Sequence, residues 1–534
     1  MKSLAPGHFR LPLFLLATLC LAGCPWPWWK SPPSPKPSPE EPVRADIPYQ
    51  LKLEAFSVKG FPGLHSAVRV VHDGKLILMA GRRDGMHASP LPQPQPQAPP
   101  NISAFPVEEA NDTIYVIDLA RGILEGQASV NALPPAVARQ LRTTNPQFFS
   151  KGGWLYIVGG YGSTLDGQSM ETLDQVIAIE LDELVSAVRK KKPLDQDFAE
   201  DSIYLGDHPA LQVAGGGMEM LDSDFLLIFG HTYNGRYTTD SALAQQTYSE
   251  SVRVFHFSFS HERGESGLKT LEVKFKGKNP PSTPNSAGQD PDGPYHRRDL
   301  NILQVLSPTG ALRVAALGGV FKGGRMEGYL HPVYLTPSSS APLGFTLAED
   351  PHTRQWMSQY EVATVPVYSE RDKAMFTTSF GGISQYYWDA GTKTLKSDTL
   401  DLNKEFPVNG LPFINTIATL KVGTQGGTQL LHEGERFPPV GAEPVCGSVK
   451  TQYLGTNGFF IAAADIPHRH GIILLDELRK PQLVGYLVGG IATTGPYSPR
   501  SASSPSAFSC TSSLLYRVIL DPRTATKSLL LRQP

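Results

Sequence analysis

The sequence predicts an all-β fold of about six four-stranded antiparallel units, and three observations predict it. An apolar, β-branched run ending at glycine or a glycine pair occurs six times. Each of these runs follows another strand-like run across a polar turn, and each is followed, after a gap of varying length, by a further strand-like segment. Internal repetition of four-stranded antiparallel units is the sequence mark of a β-propeller, in which no unit buries its own faces alone.

Taken in order, the glycine-ended runs are KLILMAGRRDG (75–85), WLYIVGGYG (154–162), DFLLIFGHTYNG (224–235), LRVAALGGVFKGG (312–324), AMFTTSFGGIS (374–384) and LVGYLVGGIATTG (483–495). Runs such as SAVRVVHDG and LNILQVLSPTG precede them and predict hairpins. The expected third strands are TIYVIDL (113–119), QVIAIEL (175–181), SVRVFHF (251–257), YLHPVYL (329–335), FINTIATLKV (413–422) and SLLYRVIL (513–520), with KTLEVKF as an example of a fourth. Two terminal segments could complete the last unit, LKLEAFSV (51–58) and KSLLLRQ (527–533), and the pattern does not choose between them. Glycine is expected at these corners because a residue without Cβ permits close backbone approach and positive φ.

The glycine pair after a second strand, with an aromatic in the third as at Tyr115 and Tyr516, resembles the kelch repeat, over nearly all of 51–534. The spacing between glycine pairs runs longer than the roughly 50 residues usual for that repeat. The resemblance implies a kelch-type β-propeller of about six blades. Some kelch propellers are enzymes, including copper radical oxidases and sialic acid epimerases. The oxidase set of a Cys crosslinked to a Tyr, a second Tyr and His ligands does not map onto matching positions here, so no catalytic residue, metal or cofactor is carried over.

The N-terminal residues carry a different message. Lys2 and Arg10 precede an apolar stretch at 11–21 that is too short for an ordinary membrane span, which reads as a secretion signal over 1–23. Leu21-Ala22-Gly23-Cys24 resembles the lipobox of bacterial lipoproteins, which implies acylation at Cys24; an ordinary cleaved signal or an uncleaved anchor is the other reading. Several acyl chains would anchor strongly, since each buried methylene contributes roughly 0.8 kcal/mol. Trp26, Trp28 and Trp29 would suit the headgroup layer. Pro25, in place of the Asp that retains such lipoproteins at the inner membrane in the enteric sorting rule, implies an outer-membrane address. Residues 24–48 are dominated by Pro, Ser, Lys and Glu and predict a stiff extended tether, leaving 49–534 as the folded body.

A formal net charge of −2 gives no electrostatic case for a nucleic-acid partner. Of the four cysteines, Cys20 lies in the leader and Cys24 is the lipid candidate. Cys446 and Cys510 remain, either as a disulfide in an oxidising compartment or as two buried thiols.

In such units the loops after the glycines and the links between units emerge on one face, and the long insertions belong to that face. Loops on a rigid scaffold are where binding concentrates. The candidate ligand face is Arg82, Arg83, Tyr161, His231, Tyr233, Arg236, Phe321, Lys322, Ser384, Gln385 and Thr493, a mixture suited to a sugar, a peptide or an acidic group; the alternative is that these residues simply satisfy turns. His468-Arg469-His470 lacks further ligands and reads as a surface pair. DPDG at 290–293 reads as a turn, and the basic run 189–192 follows a short helix-like segment, LDELVSAV. No nucleophile elbow, phosphate-binding glycine loop or zinc-protease helix signature occurs.

The functional expectation is an outer-membrane-anchored binding or protein-interaction scaffold acting through the loop-rich face, with a glycan or another envelope protein as partner. The runner-up is a carbohydrate-acting enzyme in the central pocket of that face. A third reading is an assembly factor that contacts an envelope protein through its rim. An enzyme would show convergent carboxylates or histidines with perturbed acidities; a rim contact would show an exposed apolar patch.

Overall fold

The computed structural model describes residues 42–87, 104–237, 244–279, 289–397, 411–439, 445–446, 449–496 and 508–533. The fold is all-β. The first three antiparallel units, in strand order, are Val68–His72, Lys75–Met79, Thr113–Asp118, Ile123–Ser129; then Gln147–Lys151, Trp154–Val158, Gln175–Glu180, Ile203–Asp207; then Gly217–Leu221, Asp224–Ile228, Val252–Arg263, Lys269–Asn279. The next two are Asn301–Leu306, Leu312–Leu317, Val333–Pro337, Phe345–Glu349, and Thr364–Ser369, Ala374–Ile383, Phe413–Gly423, Gly426–Arg436. In the sixth, Tyr453–Thr456 and Phe459–Ala462 pair with Gln482–Thr493, which pairs with Ser509–Asp521.

The outer strand of the sixth unit comes from the other end of the chain. Gln50–Phe56 pairs with Ser509–Asp521 along its whole length, from Gln50↔Asp521 to Phe56↔Leu515. The competing C-terminal strand, Thr526–Leu530, pairs instead with the outer strand of the fifth unit at Leu430↔Leu530. Arg44–Ile47, expected in the tether, is a strand too: it pairs with Thr526–Leu530, so the ordered chain begins earlier than residue 49.

The second strands of the first three units share one burial pattern, a half-buried first residue followed by four buried ones. The reason is a division of labour between the two sides of each strand, whose side chains alternate. Ile77 and Met79 pack with Leu155 and Ile157 of the second unit, whereas Leu76 and Leu78 pack with Tyr486 and Val488 of the sixth. Tyr156 and Val158 turn to Phe225 and Leu227 of the third. Further clusters join the third unit to the fourth, the fourth to the fifth and the fifth to the sixth. Each fully buried aliphatic or aromatic side chain contributes roughly 1.5–3 kcal/mol, so the apolar runs are the main source of cohesion between units.

Two features depart from simple four-stranded repetition. The outer strands of the second and third units pair in parallel, Tyr204↔Lys269 and Leu205↔Thr270, and fuse the two into one eight-stranded sheet. Gly206 permits this approach, since a Cβ there would lie 2.0 Å from the Leu271 carbonyl oxygen. In the fifth unit Ile472–Leu474 pairs in parallel with the first strand, at Val367↔Ile473 and Tyr368↔Leu474. The helices are short and local: Leu181–Arg189, the expected helix-like segment, buries Leu184 and Val188 in the cluster between the first two units.

Candidate functional site: the glycine corners and the adjoining cavity

The corners are built as their glycines require. Gly159 and Gly160 have φ of 62° and 87°, a region that costs any residue with a Cβ. A Cβ on Gly159 would lie 2.2 Å from the Val213 carbonyl oxygen, and one on Gly381 would lie 2.2 Å from that of Leu454. The space is taken by the next unit: Gly160 N–H donates to Val213 O, Gly81 N–H to Thr143 O, Gly230 N–H to Arg297 O and Gly319 N–H to Gln359 O.

Two residues past each of several of these acceptors, the chain turns into a first strand through a residue of positive φ: Asn145, Gly215 and Asp299, with Ser66 at the same station of the first unit and Asn457 in the sixth. These entries are tied to one another by backbone bonds. Asn145 N–H donates to Ser66 O at 3.1 Å, Gly215 N–H to Asn145 O at 3.2 Å, Asp299 N–H to Gly215 O at 2.7 Å and Asn457 N–H to Glu361 O at 2.8 Å. Ser66, Asn145 and Gly215 line a cavity of about 350 Å³ whose wall also includes Leu300 and Glu361 at the entries and Arg69, Gln147 and Glu219 farther along the first strands.

Buried ionisable groups stand beside these entries. Arg298 lies over the Phe321 ring at 4.4 Å, 3.6 Å from the Asp299 carboxylate, and hydrogen-bonds Tyr248. Asp299 is 4 % exposed and hydrogen-bonds Tyr360. Burial pushes the Asp299 carboxyl up to about 6; Arg298 opposes that rise and Glu361 adds to it. Burial, then Asp299, holds the Tyr360 phenol well above its ordinary range. Arg69 pairs with Glu361 at 3.1 Å, and Asn457 donates to the other Glu361 oxygen at 3.0 Å. Farther along, burial pushes Glu219 up to about 7 against hydrogen bonds from Gln304 and the Met220 N–H. Asp299 and Glu219 therefore change charge near neutrality, which is what an acid or base catalyst or a proton-sensitive binding group needs.

The face expected from sequence divides differently. Arg82, Tyr161, His231 and Tyr233 do come together: Arg82 stands over Phe105, which packs on Tyr161, which packs on Tyr233, with His231 6.3 Å from Tyr233. All four are buried. Arg82 makes a two-pronged bond to Asp84 at 2.8 and 2.6 Å, Tyr161 donates to Gly235 O, and His231 Nδ1 contacts Gln246 at 2.6 Å. Burial, reinforced by Arg298, keeps His231 neutral, well below its ordinary range. Ser384 and Thr493 are also buried, bonding Tyr386 O and Gly495 O, and Gln385 accepts from Gly328 N–H. Phe321 and Lys322 are half-buried, and only Arg83 and Arg236 of the eleven are exposed. Most of that set holds loops rather than facing solvent.

Sequence reasoning missed Arg298, Asp299, Tyr360, Glu361, Arg69 and Glu219. The signal available was position: HRRD (296–299) and YE (360–361) put ionisable residues immediately before apolar first strands. His468 and His470 are exposed, and 290–293 is a turn closed by Gly293 N–H to Asp290 O. Among the described residues no group of three or more His, Cys, Asp or Glu could hold a metal ion. Cys510 is disulfide-bonded, and the strand Val445–Cys446 runs beside Ser509–Asp521. Cys24 and the leader lie outside the described residues.

No family model and no curated protein matches the chain. Among solved structures, one titled "Structure of YjhT" is similar over 70% of this chain and 96% of that one, at 9% identity and a TM-score of 0.34, a likeness that leaves the function to be read from the site itself.

Proposed function

We propose that this chain is an exported lipoprotein whose six units form a kelch-like β-propeller, and that it binds a small polar ligand at the glycine-corner end of its central channel. Support for the ring comes from the six apolar clusters, each shared by two consecutive units, the last joining the sixth unit to the first. The leader, the lipobox-like Leu21-Ala22-Gly23-Cys24 and the Pro-rich segment after it support attachment to an outer membrane. The Cys510 disulfide suits an oxidising compartment, with Cys446 as the partner that backbone proximity favours.

One observation carries the binding reading: the Arg69–Glu361 pair lines the cavity, and beside Glu361 stands the buried Asp299, which pairs with Arg298 and hydrogen-bonds Tyr360, so that three units contribute charged groups to one place. Few polar groups set in a concave, largely preformed site are what orient a small ligand. A binding screen of the whole exported chain against monosaccharides, cell-wall fragments and short peptides tests it, with Arg298→Ala and Glu361→Gln as variants and a melting curve to confirm folding. Saturable binding lost in folded variants is expected; a ligand that binds the variants as well as the native chain overturns the assignment.

A second reading, a carbohydrate-acting enzyme at the same site, is favoured by two carboxyls whose acidities are displaced upward, Asp299 to about 6 and Glu219 to about 7. Turnover of whichever ligand binds, and its loss in Asp299→Asn with binding retained, separates the two.

A further inference from the structure

The channel wall carries a charge imbalance whose meaning rests on the channel being a ligand site. Arg69, Glu219 and Glu361 are the charged residues of the cavity lining. Arg69 is committed: it pairs with Glu361 at 3.1 Å, and its guanidinium sits over the Phe148 and Phe459 rings at 5.3 and 4.8 Å. No Lys, Arg or His among the described residues forms an ion pair with Glu219; its partners are the Gln304 amide nitrogen at 3.2 Å and the Met220 N–H. With its nitrogen turned to the carboxylate, Gln304 leaves Oε1 buried and without a hydrogen-bond partner. A cavity-wall carboxylate with no cationic partner among the described residues thus stands beside a buried amide oxygen that lacks a hydrogen-bond partner.

We infer that Glu219, held in place by Gln304, is a binding station for the protonated primary amine of a small polar ligand, an amino sugar or the free amino end of an amino acid or short peptide. An ammonium brings three donors and one positive charge to a cavity-wall carboxylate that has no cationic partner among the described residues. A hard divalent cation is a poorer fit, because calcium takes six to eight oxygens. The cavity, about 350 Å³, falls at the small end of ligand pockets, which run from about 300 to 1,000 Å³, and so suits a single sugar or a dipeptide rather than a polymer.

The test is calorimetric titration of the whole exported chain with two matched pairs of probes: D-glucosamine against D-glucose, and glycyl-alanine against N-acetyl-glycyl-alanine. The amine member of one pair is expected to bind at least tenfold more tightly than its neutral partner, and the pair that shows this identifies the source. Glu219→Gln should erase that preference while leaving the melting temperature no lower, and Gln304→Leu should reduce it. Equal binding of an amine and its neutral partner, or a preference that survives Glu219→Gln, overturns the amine station but leaves the channel reading intact. If no amine binds, the station is again overturned, and the channel reading then depends on the neutral probes: its failure is shown only if those too fail to bind, or bind Arg298→Ala unchanged.

Discussion

Two sets of polar side chains stand near the glycine corners, and they differ in how they are satisfied. The set just past the corners is closed on itself: Arg82 holds Asp84, Tyr161 reaches Gly235 O, and Ser384 and Thr493 bond nearby carbonyls. The set at or along the first strands is left in tension by burial, with Asp299 and Glu219 both pushed toward neutrality. Both sets are rich in Arg, Tyr and acids. The difference teaches that a residue's place relative to the corner, not its type, decides whether it closes a loop or stands at or beside the cavity.

The corner itself should give the largest effect. Gly159→Ala introduces a Cβ 2.2 Å from a carbonyl at φ of 62°, and a loss of about 3 kcal/mol or more in urea unfolding is expected from strain and displaced backbone. Gly152→Ala is the control, with similar φ and nothing within 4 Å, and should cost only about 1 kcal/mol. Equal losses would break the link between corner and neighbouring unit.

Next comes the closed set. Arg82→Ala leaves a largely buried Asp84 carboxylate with His65 as its remaining ion-pair partner, and a loss of about 3 kcal/mol is expected in the same assay. If Arg82→Ala were neutral in stability, Arg82 would belong with the channel set instead.

The channel set should act in the opposite sense. A carboxyl with a folded-state pKa above its unfolded value holds extra protons when folded, so stability falls as pH rises between the two values. For Glu219 that window runs from its ordinary value near 4.3 up to about 7. Glu219→Gln should remove this slope and gain on the order of 2 kcal/mol at pH 8, reduced by whatever water the channel admits. Unfolding titrations across pH 4–8 check it; an unchanged slope would remove Glu219 from the set.

Much of the fold was legible because its main signal is local. Each second strand must serve two neighbours, so it reads as a continuous apolar run, and its glycine is required by the close approach of the next unit. Which terminal strand completes the sixth unit was not legible: residues 50–56 and 526–530 both read as short strands, and the choice depends on partners about a hundred or more residues away. The parallel pairing at Tyr204↔Lys269 is hidden for the same reason, since it joins two outer edges. The site was half legible. Arg82, Tyr161 and His231 sit where expected along the chain, but whether a guanidinium turns to solvent or to an acid two residues on is a question of rotamer and burial. Arg298 and Asp299 lay in a link read as loop, although a charged pair directly ahead of the apolar strand Asn301–Leu306 was the available sign.

The most direct measurement compares the two sets on one ligand: affinity of the whole chain for its best binder from the screen, in Asp299→Asn and in Tyr161→Phe. Tyr161→Phe removes one neutral hydrogen bond and should cost about 1 kcal/mol of stability with affinity unchanged. Asp299→Asn should keep the fold and lose affinity at least tenfold. Affinity lost in Tyr161→Phe but kept in Asp299→Asn would contradict the account, returning the site to the loops beyond the corners.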